Sequence, residues 1–169
     1  MIVILPDHLP ENVCSQLIKL FERNAELSQE WNCTNPIELV QIENSKDLSL
    51  SKKVLDYVSS TIKSIIGEEI YVECAQVVKW NKGCSQGSHI DDAREHTCLV
   101  SITYLNDNFF GGKTILDDSE LSVKPEIGKT LAFDGKKYRH SVSTNIGAER
   151  YTLALWYTKN IEKAIKEFL

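Results

Sequence analysis

Proline and glycine are scarce, 4 and 8 of 169 residues, which excludes collagen-like and low-complexity sequence. No apolar run approaches the roughly 20 residues that a membrane-spanning helix needs. The opening Met1–Leu5 is apolar but stops at Pro6–Asp7, with no basic leader and no small-residue cleavage site. It is expected to be a first strand, in a cytoplasmic chain with no membrane partner. Positive charge is also short. Lys and Arg total 19 against 24 Asp and Glu, a net charge of −5, and the basic residues come in pairs such as Lys136–Lys137. The basic face of a polynucleotide binder is absent, so nucleic acid is not the expected partner. The five cysteines are odd in number, irregularly spaced and without a CxxC. This argues against a disulfide framework or a thiolate zinc site. Free, buried thiols in a reducing cytosol are expected instead.

The apolar share, 42%, is ample for a core, and the length suits one domain. Pro10–Glu11 opens a helix whose stripe is Val13, Leu17, Leu20 and Phe21, ending near Asn24. Residues 26–36 read as a loop, followed by a short strand at Ile37–Ile42. A second helix spans Ser45–Ile66, with Val54, Leu55, Val58, Ile62 and Ile65 at helical spacing and Gly67 as its stop. Beyond Gly67, short β-rich runs alternate with turn signals: Ile70–Trp80, Thr97–Leu105, Lys113–Leu116, Leu121–Lys124, Thr130–Phe133, His140–Ser143 and Arg150–Thr158. A short amphipathic helix over 160–169 closes the chain. The expected fold is mainly β with flanking helices: helical support over 1–67, packed outside a barrel or sandwich over about 70–158.

Four histidines punctuate the chain. In His89-Ile90-Asp91 an imidazole and a carboxylate stand two apart, on one face if the segment is a strand. His140 opens another predicted strand. Two histidines and a carboxylate on one face of an ion leave its opposite face open, the ligand set of non-haem Fe(II) oxygenases. Arg150 follows ten residues after His140. Pointing inward it would need an anion, and a carboxylate held bidentately would supply one. Pointing outward it would pair with Glu149 or water. Tyr104 would either hydrogen-bond that carboxylate or sit with its hydroxyl at the barrel rim. Asp92 should face away from Asp91, His96 reads as a polar strand end, and Asp117–Asp118 as a turn. Cys84 and Cys98 read as packing residues. Arg94 and Lys137 are candidates for substrate contact at the barrel mouth.

These residues resemble the Fe(II)/2-oxoglutarate-dependent dioxygenases, nearest the prolyl 4-hydroxylase branch. Gln76–Gly83 resembles that branch's strand and turn. Tyr104-Leu105-Asn106 with Gly111-Gly112-Lys113-Thr114 resembles its "YLN…GG.T" segment, and Val123–Gly128 its Pro-containing turn. His140-Ser141-Val142 and Arg150–Trp156 resemble its closing strands. The resemblance covers about residues 70–158 and implies a double-stranded β-helix, or jelly roll. It implies that His89, Asp91 and His140 bind Fe(II). Arg150, assisted by Tyr104, would hold the distal carboxylate of the cosubstrate 2-oxoglutarate, and O2 would take the remaining site. Succinate and CO2 are released as an aliphatic C–H is hydroxylated. The implied substrate is a prolyl residue in a peptide or protein, a free amino acid or another small molecule. Ascorbate, which related enzymes often need to keep iron reduced, comes with the resemblance. Trp80 stands where many relatives carry a cosubstrate-touching tyrosine; indole donates but cannot accept a hydrogen bond, so that contact is rearranged or lost. Arg150 stands where the collagen-type enzymes commonly use lysine, and the chain is too short for their separate peptide-binding domain. The region Asn24–Asn44 is the expected lid. A nucleic-acid demethylase on the same iron centre and a non-catalytic jelly-roll binding module are the alternative functions.

Overall fold

The computed structural model describes residues 1–169. Its elements run β1 (Ile2–Leu5), α1 (Glu11–Arg23), β2 (Thr34–Glu38), α2 (Ser45–Ile66), β3 (Tyr71–Trp80), β4 (Gln86–His89), β5 (Thr97–Tyr104), β6 (Phe110–Gly111), β7 (Thr114–Leu116), β8 (Leu121–Val123), β9 (Thr130–Phe133), β10 (His140–Val142), β11 (Asn145–Ile146) and β12 (Arg150–Thr158). One sheet has the order β1-β9-β5-β12-β3-β2, a second β4-β10-β7-β8, and β11 pairs with β6. Every pairing is antiparallel.

The central strand shows how the sequence makes layers. β12 is flanked by β3 and β5 and is buried along nearly its whole length. Side chains alternate across a strand. Tyr151, Leu153, Leu155 and Tyr157 therefore face one way, into the core shared with α1 and α2. Arg150, Thr152, Ala154 and Trp156 face the other way and line a cavity between the two sheets. The helices thus cover the outer face of the six-stranded sheet, and the four-stranded sheet covers its inner face. Tyr104, Leu116, Val123, Leu131 and Phe133 seal the far end between the sheets. This is the mainly β, helix-flanked jelly-roll architecture expected.

α2 begins and ends where its signals stand. The Asn44 side chain accepts hydrogen bonds from the Lys46 and Asp47 amides, and Gly67 closes the helix in the left-handed region at φ 68°. Asp47 is buried, takes an ion pair from Arg23 and accepts from Asn24, tying α2 to the end of α1. Arg23 and this hydrogen bonding hold its carboxyl below the usual range. No helix is long and apolar enough to cross a membrane.

Three expectations are corrected. β2 lies earlier than Ile37–Ile42, because Leu39–Gln41 turns into a 3₁₀ helix. It tolerates Pro36 because it is an edge strand, where a missing N–H costs no ladder bond. The C-terminal segment is not one helix. It forms two 3₁₀ turns, Ile161–Lys163 and Lys166–Phe168, broken by extended backbone at Ala164. The next residue, Ile165, donates its amide to Val72 of β3, a tertiary bond that local propensity does not anticipate.

The third correction concerns cysteine. Cys33 and Cys84 form a disulfide, leaving Cys14, Cys74 and Cys98 free. Cys33 directly precedes β2, one step beyond the register pair Thr34↔Trp80. The turn after β3 carries Cys84 back to it, with 5.5 Å between Cα atoms. The partners lie 51 residues apart, so only strand pairing shows that they meet. The pairing also removes the argument for a reducing compartment that rested on unpaired thiols. Replacing both with serine should lower the unfolding free energy by about 2–4 kcal/mol through a less constrained unfolded chain. The shift in denaturant midpoint measures it, and an unshifted midpoint would contradict it.

Candidate metal centre

β4 and β10 lie side by side, and their register sets His89 directly opposite His140. The imidazole centroids are 4.2 Å apart. Each ring is oriented from behind: His89 Nδ1 lies 2.9 Å from the Gly87 carbonyl and His140 Nδ1 3.1 Å from the Tyr138 carbonyl. A carbonyl only accepts, so the proton sits on Nδ1 and the Nε2 lone pair is presented forward. Tethering the rear nitrogen in this way is how proteins orient metal-binding histidines. Asp91 completes the group. Its Oδ1 is 3.8 Å from His89 Nε2 and its Oδ2 3.7 Å from His140 Nε2. The ligand atoms of all three residues lie within 4.8 Å of one another. Burial lowers the pKa of His140, with Asp91 pulling it back up, so burial favours the neutral form a metal needs. Charge and geometry both fit a divalent cation: two neutral nitrogen donors and one carboxylate.

The strand argument for Asp91 needs correction. β4 ends at His89, so Asp91 does not reach the site by strand alternation. It is held from β9's side, its amide donating to the Gly135 carbonyl at 2.9 Å. A Cβ on Gly135 would sit 2.6 Å from Asp91 Oδ2, 3.1 Å from its Cβ and 2.9 Å from Val100. Gly135→Ala should therefore displace the carboxylate and weaken Fe(II) binding about tenfold or more, with the fold retained. Anaerobic calorimetry beside a circular dichroism spectrum tests this, and unchanged affinity would contradict it. Asp117, expected only as a turn residue, accepts hydrogen bonds from Ser88 of β4 and Ser141 of β10. It cross-braces the two histidine strands.

Arg150 opens β12 and points inward. It is 1% exposed. Its guanidinium carbon lies 4.6 Å from the Trp80 ring centroid and 5.4 Å from that of Tyr104. Nη2 is 3.5 Å from Thr114 Oγ1, while buried Nε and Nη1 have no partner. Burial pushes its pKa down to about 10, which still leaves it cationic at neutral pH. A buried cation with two unsatisfied donor groups and no anion is a site for one. Gly112, at φ +60°, leaves it room, since a Cβ there would lie 3.0 Å from Arg150 Cδ.

The structure brings Tyr104 to Arg150, but its hydroxyl donates to Thr114 at 2.7 Å. Thr114 therefore couples Tyr104 to Arg150, a role that reading the GGKT segment did not predict. Trp80 lies beside Arg150 and donates Nε1–H to Thr152 Oγ1 at 3.4 Å. Its indole face serves the cation. His89, Asp91, His140, Arg150, Trp80 and Thr152 line one cavity of about 500 Å³, with Val78, Ile102, Ala154 and Trp156 as its apolar wall, whereas Tyr104 and Thr114 do not line it. Asp92 and Trp31 lie at the mouth, and exposed His96 takes no part. Arg94 reaches Cys74 and Glu38, and Lys137 stacks on Tyr138.

The family profile described as the 2OG-Fe(II) oxygenase superfamily matches residues 75–158. No curated protein matches the chain by sequence. Solved structures share its fold. A 2OG-Fe(II) oxygenase-family oxidoreductase of Burkholderia pseudomallei is 16% identical, with a TM-score of 0.78 over 94% of this chain and 84% of its own. A Pseudomonas putida prolyl-4-hydroxylase is 18% identical, with a TM-score of 0.73 over 94% and 92%. A Trichoplax adhaerens prolyl hydroxylase, in complex with a hypoxia inducible factor peptide fragment, is 18% identical with a TM-score of 0.74 over 96% and 85%. The profile spans both histidines, the carboxylate and the buried arginine, and on that ground the chain belongs to the 2OG-Fe(II) oxygenase superfamily.

Proposed function

We propose that this protein is an Fe(II)- and 2-oxoglutarate-dependent dioxygenase that hydroxylates an aliphatic C–H bond, with a prolyl residue in a peptide as the leading substrate. One observation carries the reading: a buried guanidinium lacking its anion shares a cavity with a two-histidine, one-carboxylate cluster. When bound, the iron and cosubstrate supply the oxidative chemistry, consuming O2 and releasing succinate and CO2.

The chain's own residues bind, orient and exclude water. His89, Asp91 and His140 would hold the iron on one face, their single negative charge offsetting half of the ion's. Arg150 would take the cosubstrate's far carboxylate on its guanidinium, whose Nε and Nη1 have no protein partner. Its Nη2 stays on Thr114, which Tyr104 fixes in turn, so the guanidinium plane is set before the ligand arrives. Trp80 packs on that plane and keeps water from it. Val78, Ile102, Ala154 and Trp156 give the substrate side a dry wall, suited to an aliphatic group. Ascorbate would act only as an outside reductant.

The prolyl assignment is supported by the solved prolyl hydroxylases that share this fold, one of them with a bound peptide. Anaerobic titration with Fe(II) and 2-oxoglutarate should give the visible charge-transfer band of the metal chelate. In air, proline-containing peptides should gain one oxygen with matching succinate. Absence of the band sinks the oxygenase reading. Oxygen gain only on other substrates sinks the prolyl one.

A further inference from the structure

We propose that the Cys33–Cys84 disulfide is a redox-sensitive tether that fixes the Trp31 wall at the mouth of this cavity. Reduction by a dithiol would free that wall without disturbing the metal and anion sites. The inference rests on the oxygenase reading only in calling the cavity the site of reaction.

Trp31 is a large aromatic left 58% exposed, and with Asn32 it lines the mouth. Nothing outside its own turn holds its backbone. The Trp31 amide donates to the Thr34 carbonyl at 2.8 Å, and the Thr34 amide and hydroxyl donate back to the Trp31 carbonyl at 3.0 and 2.8 Å. Asn32 sits at φ 55°, in the left-handed turn conformation that asparagine tolerates. The turn hangs from the end of β2, itself an edge strand. Beyond the ladder, residues 31–35 have two hydrogen bonds to the rest of the chain, the Asn81 amide to the Cys33 carbonyl at 3.1 Å and Asn35 to the Asn81 side chain at 3.2 Å, and Cys33 packs on the edge of the Val78–Trp80 cluster.

The other end of the disulfide is anchored far better. Cys84 is 2% exposed and packs with Val78, Trp80, Val142 and Ala154. Its carbonyl accepts from the Asn145 amide at 3.0 Å, and neighbouring Gly83 donates to the Asn145 carbonyl at 2.8 Å. Asn145 is wholly buried and pairs in register with Gly111, in the segment that also leaves room for Arg150. One sulfur is therefore buried within the barrel, and the other lies at its edge, at the base of the locally bonded turn that carries Trp31. The covalent bond passes the barrel's rigidity to the mouth.

Access decides which sulfur a reductant attacks. Cys33 is half-buried and Cys84 buried, so a donor thiolate attacks Cys33 Sγ. A donor–Cys33 disulfide forms, the Cys33–Cys84 bond breaks, and Cys84 leaves as a thiolate that takes up a proton. The donor's second thiolate then displaces Cys33. Both protein sulfurs end as thiols and the dithiol ends as its own disulfide.

The test uses the full chain, isolated without reductant or reduced with dithiothreitol and desalted under argon. Thiols counted in denaturant should rise from three to five. Amide hydrogen exchange over residues 31–35 should accelerate at least tenfold, while β3 and β12 stay within twofold. The affinity for 2-oxoglutarate with Fe(II) should also stay within twofold. The Cys33→Ser/Cys84→Ser double variant should exchange like the reduced protein without any reductant, and unchanged exchange in β3 and β12 certifies its fold. Five thiols at the outset, or equal exchange over 31–35 in both states, overturns the tether. Faster exchange over 31–35 in protein that takes neither Fe(II) nor 2-oxoglutarate upholds the tether and sinks the oxygenase reading instead.

Discussion

Arg150→Met should abolish tight 2-oxoglutarate binding and leave Fe(II) bound. Truncating one partner of a buried, hydrogen-bonded charge pair costs about 2–5 kcal/mol, roughly thirty-fold to several-thousand-fold in Kd. No hydrogen bond or ion pair joins the arginine to the two histidines or Asp91. Its bonded neighbour is Thr114 and its stacking neighbours are Trp80 and Tyr104. The same change has a second, opposite consequence. Without ligand, wild-type protein bears the desolvation cost of a buried guanidinium whose Nε and Nη1 have no protein partner. Methionine fills much of the volume without that cost, so ligand-free stability should not fall and should gain up to about 2 kcal/mol. Wild-type protein should be stabilised by added 2-oxoglutarate and the variant should not. Thermal unfolding with and without 2-oxoglutarate reads both effects. Equal stabilisation of the two proteins would show that the guanidinium does not hold the cosubstrate.

His140→Ala should act one step earlier and remove metal binding itself. Mutating residues that merely support metal ligands costs about tenfold to a hundredfold in affinity. Losing a ligand from a set of three should therefore cost more than a hundredfold. The β4–β10 ladder runs through backbone, so strand pairing should survive. The side chain leaves a gap beside Phe133, whose ring meets the imidazole edge-on at 4.8 Å. The expected stability cost is about 1–3 kcal/mol. The chelate band should vanish in this variant because no iron is held. Arg150→Met should instead regain the band at high 2-oxoglutarate. Fe(II) calorimetry under argon separates the two variants. Near wild-type iron affinity in His140→Ala would remove this residue from the ligand set.

Much of the scaffold was legible because its signals are local. The bounds of α2 follow from Asn44 at one end and Gly67 at the other. Those of β9 and β12 coincide with their apolar runs. β4 was not legible: Gln86-Gly87-Ser88-His89 is short and polar, and only its pairing with β10 makes it a strand. The same holds for Asp91. Its spacing from His89 suggested a shared strand face, yet Gly135, more than forty residues on, holds it in place. Thr114 and Asp117 carried no signal of their own. Each matters through what it joins across the sheets: Tyr104 with Arg150, and Ser88 with Ser141.

What the amino-acid order determined alone was everything with a short period: helical stripes, strand alternation, caps, and the chemical types assembled for a metal and an anion. Which cysteines join, where the mouth lies, and that Arg150 turns inward without a counter-ion were decided only by tertiary structure. Propensity and periodicity act over a few residues, whereas a disulfide, a ligand cluster and an unpaired buried charge depend on strands meeting across long loops. Those meetings are fixed by burial of the whole chain at once.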